Sequence, residues 1–588
     1  MPEAHSVTRA RVHLLTAWTL ALGLAAAGED AVYCPVAKPD PAPEVLKLTF
    51  GGPEVKFSEQ QQELRALANS PHDPKVERAL RWMIHQVDLP FELRDEALMT
   101  LGNWRMAWMV EDVAGMMEEP RQPEKWRANM TRHLAMFHMT YLDDDSYKAL
   151  EKAAASNDLP VRIKALENVA FVCSEYRFER TNPERYQKVL SLVGLALEHA
   201  DEGVVTAGCK AAGTAELAPK AADLEKLAAD EKRGAPLRIE ALLALRPLAR
   251  VESLPAVEAC AKAADETLKQ AAEDLRSYVF LAQLSSNDKA LQAQAYADLA
   301  GLGAKARNAL LRGMRFPEHA GYPYVRSLLA KVMIAEQGMA LLDRADFWNL
   351  GGDRKKPGTG NPKVQVQQDK RLIAIEGECV LEAGPLEYAV VCKGENAKLH
   401  ETVLGLNTDP MQVTYALLAC NYTYAGELGE AGKVNLPKGA GVMLSVEYEW
   451  TEVAPQGEKT QWVRVPLETM IWNSHTLAPM RRVPWVFTGS KMVKDPNTGK
   501  DVLMVVLERS IVAIMPDENA LLNNILDEAE RANVGQERAG AFYEVNRAIV
   551  PKKGAFCRLI FEPWSGEKLK PEDLKDTAEA PEQAPERP

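Results

Sequence analysis

The chain has 588 residues, 46% of them hydrophobic and 26% charged, with a formal net charge of -13. That length exceeds a single hydrophobic core and implies several domains or an extended repeat array. The acidic balance, with no concentrated basic face, excludes nucleic acid as a partner. The densest basic cluster, Arg354-Lys355-Lys356, sits among glycines and prolines and reads as a solvated linker.

Residues 1–28 read as a signal peptide. Arg9 and Arg11 precede an apolar run from Leu14 to Ala27, and Ala25-Ala26-Ala27 offers small residues for cleavage. The run is shorter than the roughly 20 apolar residues of a spanning helix, and no later stretch qualifies, so no transmembrane span is expected. The expectation is an exported protein, periplasmic or secreted, of a bacterial envelope. Residues 29–57 form a Pro-rich lead-in. Eight cysteines are scattered, with no Cys-x-x-Cys pair and no His/Cys cluster. Neither a metal nor another cofactor is therefore expected. Cys173, Cys209 and Cys260 lie on apolar helix faces as buried thiols.

From 58 to 345 the apolar periodicity is helical, broken briefly at Pro, Gly, Asn or Asp. Three segments share the form apolar-Arg-x-x-Ala-Leu-x-x-apolar: Leu93–Leu101, Val161–Val169 and Leu237–Leu245. Pro160 and Pro236 open two of them at the favoured first turn. Arg94, Arg162 and Arg238 stand 68 and 76 residues apart, which is about two units of 34 to 38 residues each time, the scale of helical-pair repeats. A weaker copy runs from Val204 to Cys209. This pattern resembles the HEAT family of α-solenoids. The resemblance implies that the Ala and Leu pack against the neighbouring pair and that the Arg sits at the seam between repeats. Stacking stabilises such an array, because one pair cannot bury its apolar face alone.

The first third of the array is rich in Trp and Met. Trp82, Trp104, Trp108 and Trp126 lie among Met83, Met99, Met106, Met109, Met116, Met117, Met130, Met136 and Met139. Core filling, an adaptable partner groove and cuprous copper binding are the three readings, with core filling favoured. His133 and His138, five residues apart on a helix, point in different directions and do not make a metal site.

Residues 346–363 (with GGDRKKPGTGNP) read as a linker. They lack the Gly-Lys-Ser/Thr of a phosphate loop. The stretch 364–566 changes to strand periodicity. Strands are expected over Val364–Ile375 and Leu386–Val391, turned at Gly384-Pro385. A helix opens at Asp409-Pro410, with strands at Val442–Trp450 and Gln461–Val465 beyond it. A hairpin is turned at Asp495–Gly499, and a last strand covers Ala555–Phe561. The fold class expected is multidomain: an all-α HEAT-like solenoid, then an α+β domain with mainly antiparallel strands. Residues 567–588, charged and rich in Pro and Ala, read as a disordered tail.

Several motifs recur in order. They are the run from Gly377 to Gly384-Pro385-Leu386-Glu387-Tyr388, then Lys398-x-His400-Glu401, then the Asp-Pro-led helix. After these come Trp485-Val486-Phe487-x-Gly489-Ser490 and Asn546 with Pro551-x-x-Gly554. Together they resemble the YdjY-type domain of exported bacterial proteins of unknown function. The resemblance implies an architecture and carries no activity. The stretch 523–540 is longer and more helical than that pattern.

The best candidate binding site is Lys398, His400 and Glu401, with Glu387 approaching across the hairpin and Trp485 on a neighbouring strand. On a strand, Lys398 and His400 would share a face and Glu401 would oppose them; in a turn all three could converge. A His beside a carboxylate is the minimum of an acid–base pair. Without a nucleophile or oxyanion loop, pinning of a turn is the favoured reading, and no catalytic residue is assigned. Cys379 and Cys392 are a candidate disulfide in an oxidising compartment, although a hairpin centred near Gly384 aligns them only with a bulge or another strand. The function expected is an exported, non-enzymatic scaffold presenting its helical surface to a protein or peptide partner. The alternative is an envelope enzyme or a redox, metal or small-ligand protein with its site around His400.

Overall fold

The computed structural model describes residues 57–336, 363–425, 440–525 and 543–564, apart from positions 107 and 475. The expected signal peptide, the lead-in up to residue 56, the linker up to residue 362 and the tail lie outside the described residues. The chain divides into two compact units, one within Ala25–Ala282 and one within Gln283–Arg587.

In the first unit helices alternate between two rows. The first row comprises Phe57–Ala68, Phe91–Asn103, Glu124–Tyr141, Leu159–Glu175, Glu202–Thr214 and Ala235–Leu245. Between them fall Pro74–His85, Met109–Glu118, Asp144–Ala154, Pro183–Leu197, Ala221–Ala229 and Leu254–Ala261. This is the helical-repeat solenoid that the sequence implied. The Ala-Leu pairs of the three motifs, Ala97-Leu98, Ala165-Leu166 and Ala241-Leu242, are all buried. Pro160 and Pro236 occupy first turns, and Asp158 caps its helix by accepting from the Val161 amide.

The motif arginine has a specific task. Arg94 Nε and Nη2 donate to the Ile84 carbonyl at 3.1 and 2.7 Å, and Arg238 Nε donates to the Ala228 carbonyl at 2.8 Å. Each carbonyl belongs to the last turn of the preceding helix, where no intrahelical donor remains. Arg94 also lies 4.0 Å over the Trp126 ring. Arg162 departs from this pattern, since its Nε is buried without a partner.

A second ladder was not visible in the motif. Trp104 Nε1 donates to the Ser70 carbonyl (3.1 Å), Tyr141 OH to Gly102 (2.5 Å) and Tyr176 OH to Met139 (2.9 Å). Each aromatic stands at the C-terminal end of a first-row helix and satisfies a carbonyl at the end of the one before. Each is followed by a left-handed residue, Arg105, Leu142 or Arg177, which ends the helix. These bonds and the cross-repeat side-chain pairs around them span 31 to 39 residues. The repeat length inferred from the arginines falls inside that range. In the Trp- and Met-rich segment Met83, Met109, Met116, Met117, Met130 and Trp126 are buried, while Trp82, Trp104, Trp108, Met99, Met106, Met136 and Met139 are half-buried.

The second unit combines the helices Lys289–Leu302, Arg307–Gly313 and Tyr322–Glu336 with the strands. These are β1 (Val364–Gln367), β2 (Leu372–Cys379), β3 (Tyr388–Cys392), β4 (Thr402–Leu406), β5 (Gly441–Ala454) and β6 (Gly457–Pro466). They continue with β7 (Ile471–Asn473), β8 (Ala478–Pro479), β9 (Trp485–Phe487), β10 (Met492–Lys494), β11 (Asp501–Leu503), β12 (Ser510–Ala513), β13 (Leu522–Asn523), β14 (Tyr543–Val545) and β15 (Phe556–Pro563). Eight of them pair in a closed ring, β2-β15-β5-β9-β13-β12-β3-β4 and back to β2. Only β3–β4 and β12–β13 run parallel in it. β1 and β6 attach to β2 and β5 from outside the ring. The domain is therefore mainly antiparallel and barrel-like, with the Asp495–Gly499 hairpin and the helix Pro410–Ala419 where the sequence placed them.

One expectation needs correction. β2 and β3 are not hairpin partners across Gly384-Pro385, because β4 pairs with both and lies between them. The ring closes at a close backbone approach, where a Cβ on Gly377 would stand 2.7 Å from the Gly405 carbonyl oxygen. Glycine there lets β2 and β4 meet. The helices of this unit are tied to β5: Tyr296 OH donates to Glu452 Oε1 at 2.6 Å, Lys331 Nζ bonds the same oxygen, and Ser327 Oγ accepts from the Val453 amide at 2.8 Å.

Candidate functional site

The expected site residues fall at the junction of β3, β4 and the loop after β12. Leu399–Glu401 is a single 3₁₀ turn leading into β4. That turn splits the triad. Lys398 points inward: its Nζ donates to Tyr388 OH at 2.7 Å, stands 3.5 Å from Glu508 and lies 4.6 Å from the Tyr388 ring centre. Tyr388 OH in turn donates to Asp517 Oδ2 at 2.8 Å. Asp517 is fixed by Asn523, whose Oδ1 accepts from its amide and whose Nδ2 donates to its carbonyl.

His400 points outward and its side chain is 82% exposed, with Nε2 3.7 Å from Glu401 Oε2. Glu387 comes close through the backbone rather than across the expected hairpin, since its amide donates to the Glu401 carbonyl at 3.2 Å. Burial and the Glu387 charge raise the Glu401 carboxyl above its usual range, against the pull of His400 and Lys398. Lys398, Glu401 and Glu387 are thus neighbours, while His400 stands at their solvent edge.

Burial, reinforced by Asp517 and opposed by Lys398, pushes the Tyr388 phenol up to about 12. Burial works against the Lys398 charge, yet Tyr388, Glu508 and Asp517 hold the ammonium well above its ordinary value. Lys398, Tyr388 and Asp517 are partnered to one another, so the phenol has no proton to spare and the ammonium no free lone pair. The network braces an apolar cluster of Tyr388, Val391, Ala513 and Ala520, against which Ala397 and Leu399 pack. Its chemistry is that of a pinned turn.

Trp485 does not join this group. It lies fully buried on β9, and its indole N–H donates to Glu468 Oε1 at 2.7 Å. Glu468 Oε2 has no hydrogen-bond partner, and burial pushes the carboxyl up to about 7. Cys379 and Cys392 are both free and buried, on strands that flank β4, so no bridge joins them. Burial pushes their thiols up to about 11 and about 12, which suppresses the thiolate that redox exchange needs. Among the described residues no group of three or more His, Cys, Asp or Glu is placed to hold a metal ion. No described helix is long and apolar enough to cross a membrane.

No family model and no curated protein matches the chain. Among solved structures it is similar to a mutant of Kap121p (12% identity, 46% of this chain and 32% of that one, TM-score 0.32). It is also similar to Kap121p bound to Pho4p (12%, 50% and 38%, TM-score 0.34) and to human deoxyhypusine hydroxylase in complex with glycerol (14%, 47% and 97%, TM-score 0.20). The chain spans about a third of the Kap121p chains it matches. Scores this low leave function to be read from the chain's own residues.

Tyr388 was in view within Gly-Pro-Leu-Glu-Tyr, but its partners were not. Asp517 lies 129 residues further on and Glu508 has no local signature. Only the pairing of β12 with β3 brings them together.

Proposed function

We propose that this protein is an exported, non-enzymatic scaffold whose helical array presents a surface to a protein or peptide partner. The observation that carries this reading is the double ladder between repeats. Arg94 and Arg238, with Trp104, Tyr141 and Tyr176, bond carbonyls at the ends of preceding helices and so brace the surface of the array. Extended surfaces of this kind are what repeat arrays offer a partner. The composition of residues 1–28 supports export, and the ordered motifs from Gly377 to Gly554 support a YdjY-type domain in the second unit.

The mutual satisfaction of Lys398, Tyr388 and Asp517 favours this reading over an enzyme. One feature keeps a second reading in play: His400 is open to solvent beside Glu401, as a small-ligand or acid–base site would require. Capture with the whole chain from the native envelope, followed by cross-linking, separates the two. Cross-links confined to residues 57–282, retained in His400→Ala, support the scaffold. A metal or small molecule that co-purifies and disappears in His400→Ala, without a protein partner, overturns it.

A further inference from the structure

The seam between the helices Phe91–Asn103 and Glu124–Tyr141 contains a histidine that the scaffold reading does not use. His133 is fully buried, and its Nε2 lies 2.8 Å from Asp95 Oδ1. Asn129 Nδ2 donates to the same carboxylate oxygen at 2.7 Å. His133 Nδ1, on the other side of the ring, is buried with no hydrogen-bond partner. A neutral ring satisfies this geometry in one tautomer only, with the proton on Nε2 and donated to Asp95. A second proton would have to sit on Nδ1, facing no acceptor.

We propose that the His133–Asp95 contact is an acid-labile joint of the helical array, closed while the imidazole is neutral and opened when it gains a proton. Asp95 faces the ring from the neighbouring helix and Arg132 stands beside it on its own helix, 3.7 Å from Asp95. No charged group on the helices Met109–Glu118, Asp144–Ala154 or Leu159–Glu175 shifts its titration. Burial lowers the ring below its ordinary value, and this outweighs the pull of Asp95. Asp95 itself stays ionised: burial pushes it up, but the bonds from His133 and Asn129 and the charge of Arg132 hold it below the usual carboxylate range.

The direction follows from linkage. In the unfolded chain the imidazole titrates near about 6.5, and in the folded array lower. The seam's stability is therefore full above about 6.5 and is lost as pH falls below it, about tenfold in the opening equilibrium for each unit down to the folded value. The effect differs from general acid unfolding because it is confined to one seam and occurs while Asp95 is still charged.

The test is amide hydrogen exchange on the whole chain at pH 7.5 and pH 5.0, corrected for the intrinsic rate. The helices Glu202–Thr214 and Ala235–Leu245 serve as an internal reference. Protection in Phe91–Asn103 and Glu124–Tyr141 should fall relative to the reference at pH 5.0, by up to about tenfold for each unit between about 6.5 and the folded value. H133Q keeps a donor at the Nε2 position and cannot titrate, so it should abolish the difference. D95N removes the charge that offsets burial and should deepen it. Should H133Q fail to fold, histidine-selective imidazole NMR on the unaltered chain gives the answer. A His133 ring that remains the neutral Nε2–H tautomer below about 6.5 supports the joint. Equal protection at the two pH values, or a ring that protonates with the seam intact, overturns it.

Discussion

Glu468 is a carboxyl with one donor and a second oxygen that meets none, which makes ionisation costly. In the folded protein it titrates at about 7, against about 4.3 in an unfolded chain. Its contribution to stability is full below about 4.3 and is lost as pH rises towards 7, opposite in sign to His133. Glu468→Gln should flatten the decline in melting temperature between pH 5 and pH 8; an unchanged slope would mean that the acid is not buried neutral. At the candidate site the two faces of the 3₁₀ turn predict different costs. Tyr388→Phe removes the hydroxyl that accepts from Lys398 and donates to Asp517, for a loss of about 1–3 kcal/mol in urea unfolding. His400→Ala, at the solvent edge, should change stability by less than about 0.5 kcal/mol. The sequence grouped Lys398, His400 and Glu401 because they lie within four residues of one another, and added Glu387 through a hairpin that the structure does not form. It could not place Trp485 or Asp517, since their partners are set by strand pairing over long separations.

At the level of the element, the arginine motif was readable because its spacing repeats, and the structure supplies its purpose. Arg94→Met should cost about 1.5–3 kcal/mol, as expected for a charged donor removed from a buried carbonyl. Arg162→Met should cost less in the same denaturation experiment, since its Nε is unpartnered; an equal cost would sink this account of the ladder. The aromatic ladder of Trp104, Tyr141 and Tyr176 escaped the sequence because Trp and Tyr differ in shape and share only a position. The order of strands was the main misreading. Gly384-Pro385 is a credible hairpin turn, yet β4 pairs with both flanking strands and displaces the hairpin. The signal lay in Gly377 and Gly405, two glycines whose approach across the ring no local pattern reveals. Gly377→Ala, a methyl forced against the Gly405 carbonyl, should lose about 1–3 kcal/mol, measured by chemical unfolding.

For the whole molecule, the two units differ in how far apart their contacts lie along the chain. The carbonyl bonds of Arg94 and Arg238 span 10 residues and the aromatic bonds of the array 34 to 39, whereas β2 meets β15 across about 180 residues, Gly377 opposite Cys557. Contacts so distant slow folding, because the loop must close before the pairing rewards it. In pulse-labelled refolding the array helices should gain protection before β2, β5 and β15; simultaneous protection would contradict this. Because β15 fills the gap between β2 and β5, the ring cannot close on a ribosome until residue 563 has emerged. While the residues between β5 and β15 are being made, the nascent chain carries the unpaired edges of β2 and β5. The interval before release, rather than the stability of the completed fold, is when this protein is most exposed to misassembly.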